Sequence, residues 1–327
     1  MPRHSGGYRL HLRSNPYIQE RARPGGLATR TITFVVSGSL DWRREVLMRD
    51  LKTLISGLVV GESPRWHDGR LWFSNWGAQE IRTVDLNGNS EVIARGPKPA
   101  GFCLDFLPDG RLLVTGEDGL LRREPDGSFV THADLAPLGR GWNEVTVDGR
   151  GNIYVNDVGF SFGQEDFRPG RIALVTPDGN ARQVADNVMF PNGMVVTPDN
   201  STLVVAESWA HRLTAFDIED DGTLTNRRVW AEVDGDGICL DAEGAIWCSG
   251  VSGGKPRCLR VREGGEVLEQ IDHEAACFAC MLGGEDGKTL FLMNAEWRGV
   301  ERMGEIFQAK TGRIETARVS VPHAGRP

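Results

Sequence analysis

A turn rich in Asp, Glu, Gly or Asn, followed at once by a β-type apolar run, occurs six times in this chain, and no other feature limits its fold as tightly. The six copies read HDGRLWFSN, PDGRLLVTG, GRGNIYVND, PDNSTLVVAES, AEGAIWCSG and EDGKTLFLMNA. Their first apolar residues, Leu71, Leu112, Ile153, Leu203, Ile246 and Leu290, lie 41, 41, 50, 43 and 44 residues apart. Four-stranded propeller blades repeat every ~40–50 residues, whereas helical repeats of that length carry a 3.6-residue apolar period. These runs alternate with period two. Between copies comes a second strand pair, as in RLTAFDIEDDGTLTNRRVWAE, whose Asp221-Gly222 pair marks a hairpin turn. The pattern predicts an all-β fold, a six-bladed β-propeller of four-stranded antiparallel blades, which closes on itself and leaves few free strand edges.

Composition agrees with that architecture and narrows the partners. The 41 glycines and 16 prolines call for many turns, and 40% hydrophobic residues are enough for a large core in a chain of 327 residues. A formal net charge of -8 argues against nucleic acid, whose phosphates demand a Lys/Arg-rich face. No apolar run reaches the ~18 residues of a membrane span and no signal-peptide core is evident, so the expectation is a cytoplasmic protein acting on a small molecule. Six cysteines, Cys103, Cys239, Cys248, Cys258, Cys277 and Cys280, are expected as free buried thiols. Cys277-Phe-Ala-Cys280 is a lone CxxC without a second ligand pair, which reads as core packing rather than zinc.

The repeat also fixes a phase. Stepping back from each anchor to the start of the preceding strand gives Glu62, Phe102, Asn143, Asn192, Asp236 and Cys280. The innermost strand of every blade runs along the central channel, so equivalent positions should ring one of its mouths. Singly, each of these residues has an ordinary explanation: Glu62 as a solvated charge beside a turn, Asn143 and Asn192 as turn residues, Asp236 as part of the turn DGDG. In one register they read as ligands. Two carboxylates and two amide carbonyls form a hard-cation site, suited first to Ca²⁺ and then to Mg²⁺, Mn²⁺ or Zn²⁺.

The motifs GESPRW at Glu62, WNEVTVDGRGNIYVND from Trp142, FPNGMVVTPD from Phe190 and GDGICLDAEGAIW from Gly235 resemble the SMP-30/gluconolactonase/LRE-like family. The resemblance runs from about Met48 to the C-terminus. It implies that Glu62, Asn143, Asn192 and Asp236 hold one divalent metal ion, and that the chain is a metal-dependent hydrolase opening the ester bond of a lactone. Family members carry Asp after the first Asn, as a proposed proton-transfer residue; this chain has Glu144. An Arg two residues before that Asn in sugar-lactone members is replaced by Gly141, with Arg140 one step away. Residues 1–47 match nothing in the family and are expected to be an extension or the product of an upstream start, with a capping strand at ITFVVSG as the alternative. The propeller is assigned to 48–327.

Candidates for taking the proton are Asp236, Glu144 and Asp157. Loops opening at the metal mouth carry Trp76, Phe160, Phe162, Trp209, His211, Ser252 and Trp297, and Trp142 stands beside Asn143. Trp76, Trp142, Phe160, Trp209, His211 and Trp297 are the expected substrate contacts, a mostly aromatic wall fitting a bulkier, more apolar lactone than a sugar. Gly250-Val-Ser252-Gly-Gly254 matches GxSxG, but an all-β context does not provide the strand-to-helix turn of a nucleophile elbow. Two other functions compete: a phosphotriester or fluorophosphate hydrolase, and a calcium-binding regulatory protein without turnover.

Overall fold

The computed structural model describes residues 51–161, 164–252 and 255–325, with only the backbone of Ser252 and Val300. The described chain forms six four-stranded antiparallel sheets. In blades one to five the strands follow chain order, beginning with Val60–His67, Leu104–Phe106, Trp142–Val147, Pro191–Val196 and Ile238–Leu240. The sixth blade combines Ala276–Gly283, Thr289–Ala295 and Gly312–Arg318 with Lys52–Leu58, which pairs antiparallel to Gly312–Arg318 and closes the ring. The six innermost strands touch one another in sequence, and the last returns to the first. The fold is a six-bladed β-propeller.

The recurring acidic turns have a common cause. In five of the six, an Asp side chain accepts the backbone N–H two residues on: Asp109 from Arg111 at 3.0 Å, Asp148 from Arg150 at 2.8 Å, Asp199 from Ser201 at 3.1 Å, Asp241 from Glu243 at 2.8 Å and Asp286 from Lys288 at 3.1 Å. An Asx turn of this kind pins the hairpin between the first two strands of a blade and so fixes their register. The apolar residues of those strands then pack between blades. Trp142, Val145, Val155 and Ala173 of the third blade meet Leu113, Leu120 and Leu135 of the second in one continuous cluster. All six cysteines are buried and free. Among the described residues, no helix is long and apolar enough to cross a membrane.

One buried residue sets an acid limit on the fold. His273 is 9% exposed, neither ring nitrogen finds a partner, and burial pushes its pKa down to about 4 from 6.5, with Glu315 pulling up and Arg313 pulling down. The folded protein therefore holds this ring neutral while the unfolded chain protonates it below about pH 6.5. Stability is unaffected above that pH and is lost as pH falls toward 4, by up to about 3 kcal/mol. Urea midpoints at pH 7 and pH 5 check this: His273→Phe should narrow the difference, and an unchanged difference would remove His273 from the account.

Candidate functional site

The ring positions are set by bulges. Pairing of the first two strands is interrupted between Glu62 and Arg65, Trp142 and Val145, Pro191 and Met194, and Cys277 and Ala279. A bulge re-aims a side chain and tightens the local twist, and here each lies at or beside a ring residue. Next to Glu62, Ser63 takes a left-handed φ of 50°, an uncommon state for serine. Its hydroxyl spans to the second blade, accepting Leu104 N at 2.9 Å and lying 3.2 Å from Leu104 O.

Hydrogen bonds then lock neighbouring ring segments together. Gly193 N donates to Asp236 O at 3.0 Å, and Gly237 N to Phe278 O at 2.8 Å. Side chains of the second strands do the same: Ser74 Oγ to Phe102 O, Asn156 Nδ2 to Asn192 O and Ser249 Oγ to Phe278 O, each at 2.9 Å. Gly193 has to be glycine, because a Cβ there would sit 2.6 Å from Ile238 N and 2.7 Å from Asp236 O.

This pattern corrects the sixth ring position from Cys280 to Phe278. Residues after Asn192 and Asp236 bond to the next ring carbonyl, and Gly237 finds Phe278. In the sixth blade Leu290 pairs with Leu282, eight residues back against six for the anchors of the second, third and fifth blades, so a count of ten back from Leu290 stops two residues short of Phe278. Cys280 is buried, 3.9 Å from Cys239 sulfur to sulfur.

Glu62, Asn143, Asn192 and Asp236 line the floor of one cavity of about 1340 Å³. Glu62 is 5% exposed and accepts Ser63 N at 3.0 Å. Burial holds its carboxyl well above the usual range, and the charges of Asp236 and Glu144 push it further. Asp236 is pushed up to about 8 by burial and by Glu144, while a hydrogen bond from Asn192 pulls it back. Like charges gathered at a buried floor beside two amides are what a hard divalent cation would neutralise. Among the described residues no three His, Cys, Asp or Glu side chains form a metal-holding group, so the amide oxygens would have to complete the ligand set. The donor set fits such an ion.

Asp157 ends the strand Ile153–Asp157 on the cavity wall, 3% exposed and paired with Arg171 Nε at 3.0 Å. Burial raises its pKa and Arg171 opposes the rise. Trp76, Phe160, Trp209, His211 and Trp297 also line the cavity. Trp76 Nε1 donates to Phe102 O at 2.7 Å, and His211 Nδ1 is hydrogen-bonded to Asp234. Phe160, Phe167, Phe190 and Trp209 form one aromatic block, with Trp209 stacked on both Phe167 and Phe190.

Two expectations are corrected. Trp142 is fully buried in the cluster between the second and third blades, because the bulge after it sends Asn143 to the channel and Trp142 into the core. Glu144 lies off the cavity wall, 4% exposed, with Oε1 3.1 Å from Arg65 Nη2 and bonded to Val145 N at 3.0 Å. Its charge belongs to a buried network with Arg65 and Asp105. Ser252 ends the strand Ile246–Ser252, paired to Lys255 in a hairpin rather than a strand-to-helix elbow. Phe162, the Ser252 side chain, the ITFVVSG segment and the rest of 1–47 lie outside the described residues.

Residue counting missed Arg65, Lys98, Asp234 and Phe278. Arg65 carried a signal, since an arginine flanked by Pro64 and Trp66 on an inner strand needs buried carboxylates as partners. Lys98 sits in a loop without periodicity and carried none.

The family model described as "SMP-30/Gluconolactonase/LRE-like region" matches residues 60–296. The 6-deoxy-6-sulfogluconolactonase of Pseudomonas putida is 25% identical over 282 residues, covering 82% of this chain and 94% of that protein. The diisopropyl-fluorophosphatase of Loligo vulgaris is 30% identical over 227 residues, 57% of this chain and 70% of that one. Regucalcin of Xenopus laevis is 25% identical, over 72% of this chain and 83% of its own length. Among solved structures, a luciferin-regenerating enzyme superposes with a TM-score of 0.71 at 17% identity, covering 84% of this chain and 97% of that one. A gluconolactonase from Xanthomonas campestris gives 0.67 at 20% identity, covering 84% and 91%.

Proposed function

This chain belongs to the SMP-30/Gluconolactonase/LRE-like family, and on that premise we propose that it is a divalent-cation-dependent hydrolase that opens the ester bond of a lactone. The observation that carries the proposal is the meeting of Glu62, Asn143, Asn192 and Asp236 from four blades at the floor of a large cavity. These four would hold the ion, Ca²⁺ first among the candidates. A bound divalent ion supplies Lewis acidity, polarising a carbonyl oxygen and lowering the pKa of water. Asp236 faces the cavity from the floor, and one of its carboxylate oxygens takes the proton of the attacking water. Asp157, held by Arg171 on the wall, is the second candidate for that role. Glu144 leaves the list, since Arg65 neutralises it away from the cavity. Six free cysteines support a reducing, cytoplasmic setting.

The diisopropyl-fluorophosphatase relative favours a second reading, hydrolysis of a phosphotriester or fluorophosphate at the same floor. One experiment separates the readings. The protein is stripped with chelator, Ca²⁺, Mg²⁺, Mn²⁺ or Zn²⁺ is returned, and proton release is followed with a panel of lactones and one fluorophosphate. Cation-restored turnover on lactones supports the first reading; turnover on the fluorophosphate alone supports the second. Cation binding with no turnover on either would make the chain a binding protein.

A further inference from the structure

The cavity is larger than its chemistry at the floor requires. Pockets that bury drug-sized ligands span ~300–1000 Å³, and this one is about 1340 Å³. Its walls are unevenly built. The aromatic block of Phe160, Phe167, Phe190 and Trp209 rises from the third and fourth blades. Phe278 and Trp297, in edge-to-face contact at 6.1 Å, rise from the sixth. In a ring of six, the third blade faces the sixth, so these two aromatic surfaces look at each other across the channel axis. Trp209 and Trp297 are 45% and 46% exposed, unusual for so large an apolar side chain.

The cationic groups of the cavity are unevenly engaged as well. Arg168 pairs with Glu165, Arg171 with Asp157, Arg140 with Asp118, and His211 with Asp234. Lys98 has no ion pair among the described residues. Its Nζ donates to Trp142 O at 2.9 Å, beside Asn143, and otherwise faces the cavity. The ammonium is half-buried, and burial holds its pKa below the usual lysine range while Glu117 partly restores it. A partly desolvated cation with donors to spare and no carboxylate within ion-pair distance among the described residues is a receptor for an anionic oxygen.

We infer that this site selects a lactone that carries both an aromatic ring and an acidic group, with the ring between the two aromatic walls and the acidic group on Lys98. The acidic group is a carboxylate or a sulfonate, which share the oxyanion chemistry Lys98 recognises. The inference rests on the lactone-hydrolase reading for the identity of the reacting bond, but not for its test.

The probe is isoindolinone, the lactam counterpart of a benzo-fused lactone, which offers the same ring and carbonyl without an ester to hydrolyse. Calorimetry with Ca²⁺ present compares its carboxylate, sulfonate and carboxamide derivatives, and a saturated carboxylate lacking the aromatic ring. The carboxylate or the sulfonate, whichever is preferred, is expected to bind about 10- to 100-fold more tightly than the carboxamide, the range of a charge-assisted hydrogen bond. The saturated acid should bind roughly tenfold more weakly than its aromatic counterpart. Lys98→Gln, which keeps a donor for Trp142 O and removes the charge, should abolish the preference for the acid, and Lys98→Arg should retain it. Equal binding of acid and amide, a preference unchanged in Lys98→Gln, or no binding of any probe would overturn the inference. Turnover of the matching lactones is measured separately, so its absence with probe binding intact would count against the hydrolase reading alone.

Discussion

Asp236→Ala is expected to lower cation-dependent lactone turnover by about 10²–10⁴-fold, the usual contribution of a positioned general base. At saturating cation the loss should fall on kcat, because Asp236 is assigned to a proton that moves only during the reaction. Asp236→Asn keeps an oxygen donor on the ring and removes the base, so it separates the two roles. If Asp236 serves chiefly as base, the Asn variant still binds the cation and is as slow as the Ala variant. The fold should survive either change. In chelator, Asp236 carries a buried carboxyl that Glu144 repels, and removing it relieves that strain, so neither variant should melt below the wild type. Activity within tenfold of wild type in both variants would take the proton away from Asp236 and leave Asp157 as the candidate.

The second large effect lies below the ring. Arg65 is 6% exposed, 3.1 Å from Glu144 and 3.5 Å from Asp105, and it also donates to Pro64 O at 2.9 Å and Val145 O at 2.8 Å. It joins the first, second and third inner strands through one guanidinium. Burial has already raised Asp105 to about 6, against the opposing pull of Arg65. Removing one partner of a buried ion pair costs about 3–5 kcal/mol, because the charges left behind have neither water nor counter-ion. Arg65→Leu should therefore lower unfolding free energy by that amount in urea. Adding Asp105→Asn and Glu144→Gln should recover part of it, since amides need no counter-charge. A loss below about 1 kcal/mol for Arg65→Leu alone would show the network to be solvated or dispensable.

The blade count was readable because the Asp-Gly turn and the period-two run that follows it are local, and both recur at the blade period. Five ring positions could be reached by counting because their hairpins are of nearly equal length. The sixth could not: an added strand pair in front of Leu290 shifts the count from Phe278 to Cys280. Trp142 and Glu144 show a different limit. Both flank Asn143, and alternation alone cannot tell which neighbour joins it, since the bulge between Trp142 and Val145 breaks the alternation where it matters. Long-range partners were harder still. That Glu144 answers to Arg65, 79 residues away, follows only from ring closure.

The central claim is that the ring holds one divalent cation. The most direct test is calorimetric titration of Ca²⁺ into chelator-stripped wild type, Glu62→Gln and Asp236→Ala. A single site is expected in the wild type, weakened by at least tenfold in each variant. No binding by the wild type, or the same affinity in all three proteins, would contradict it.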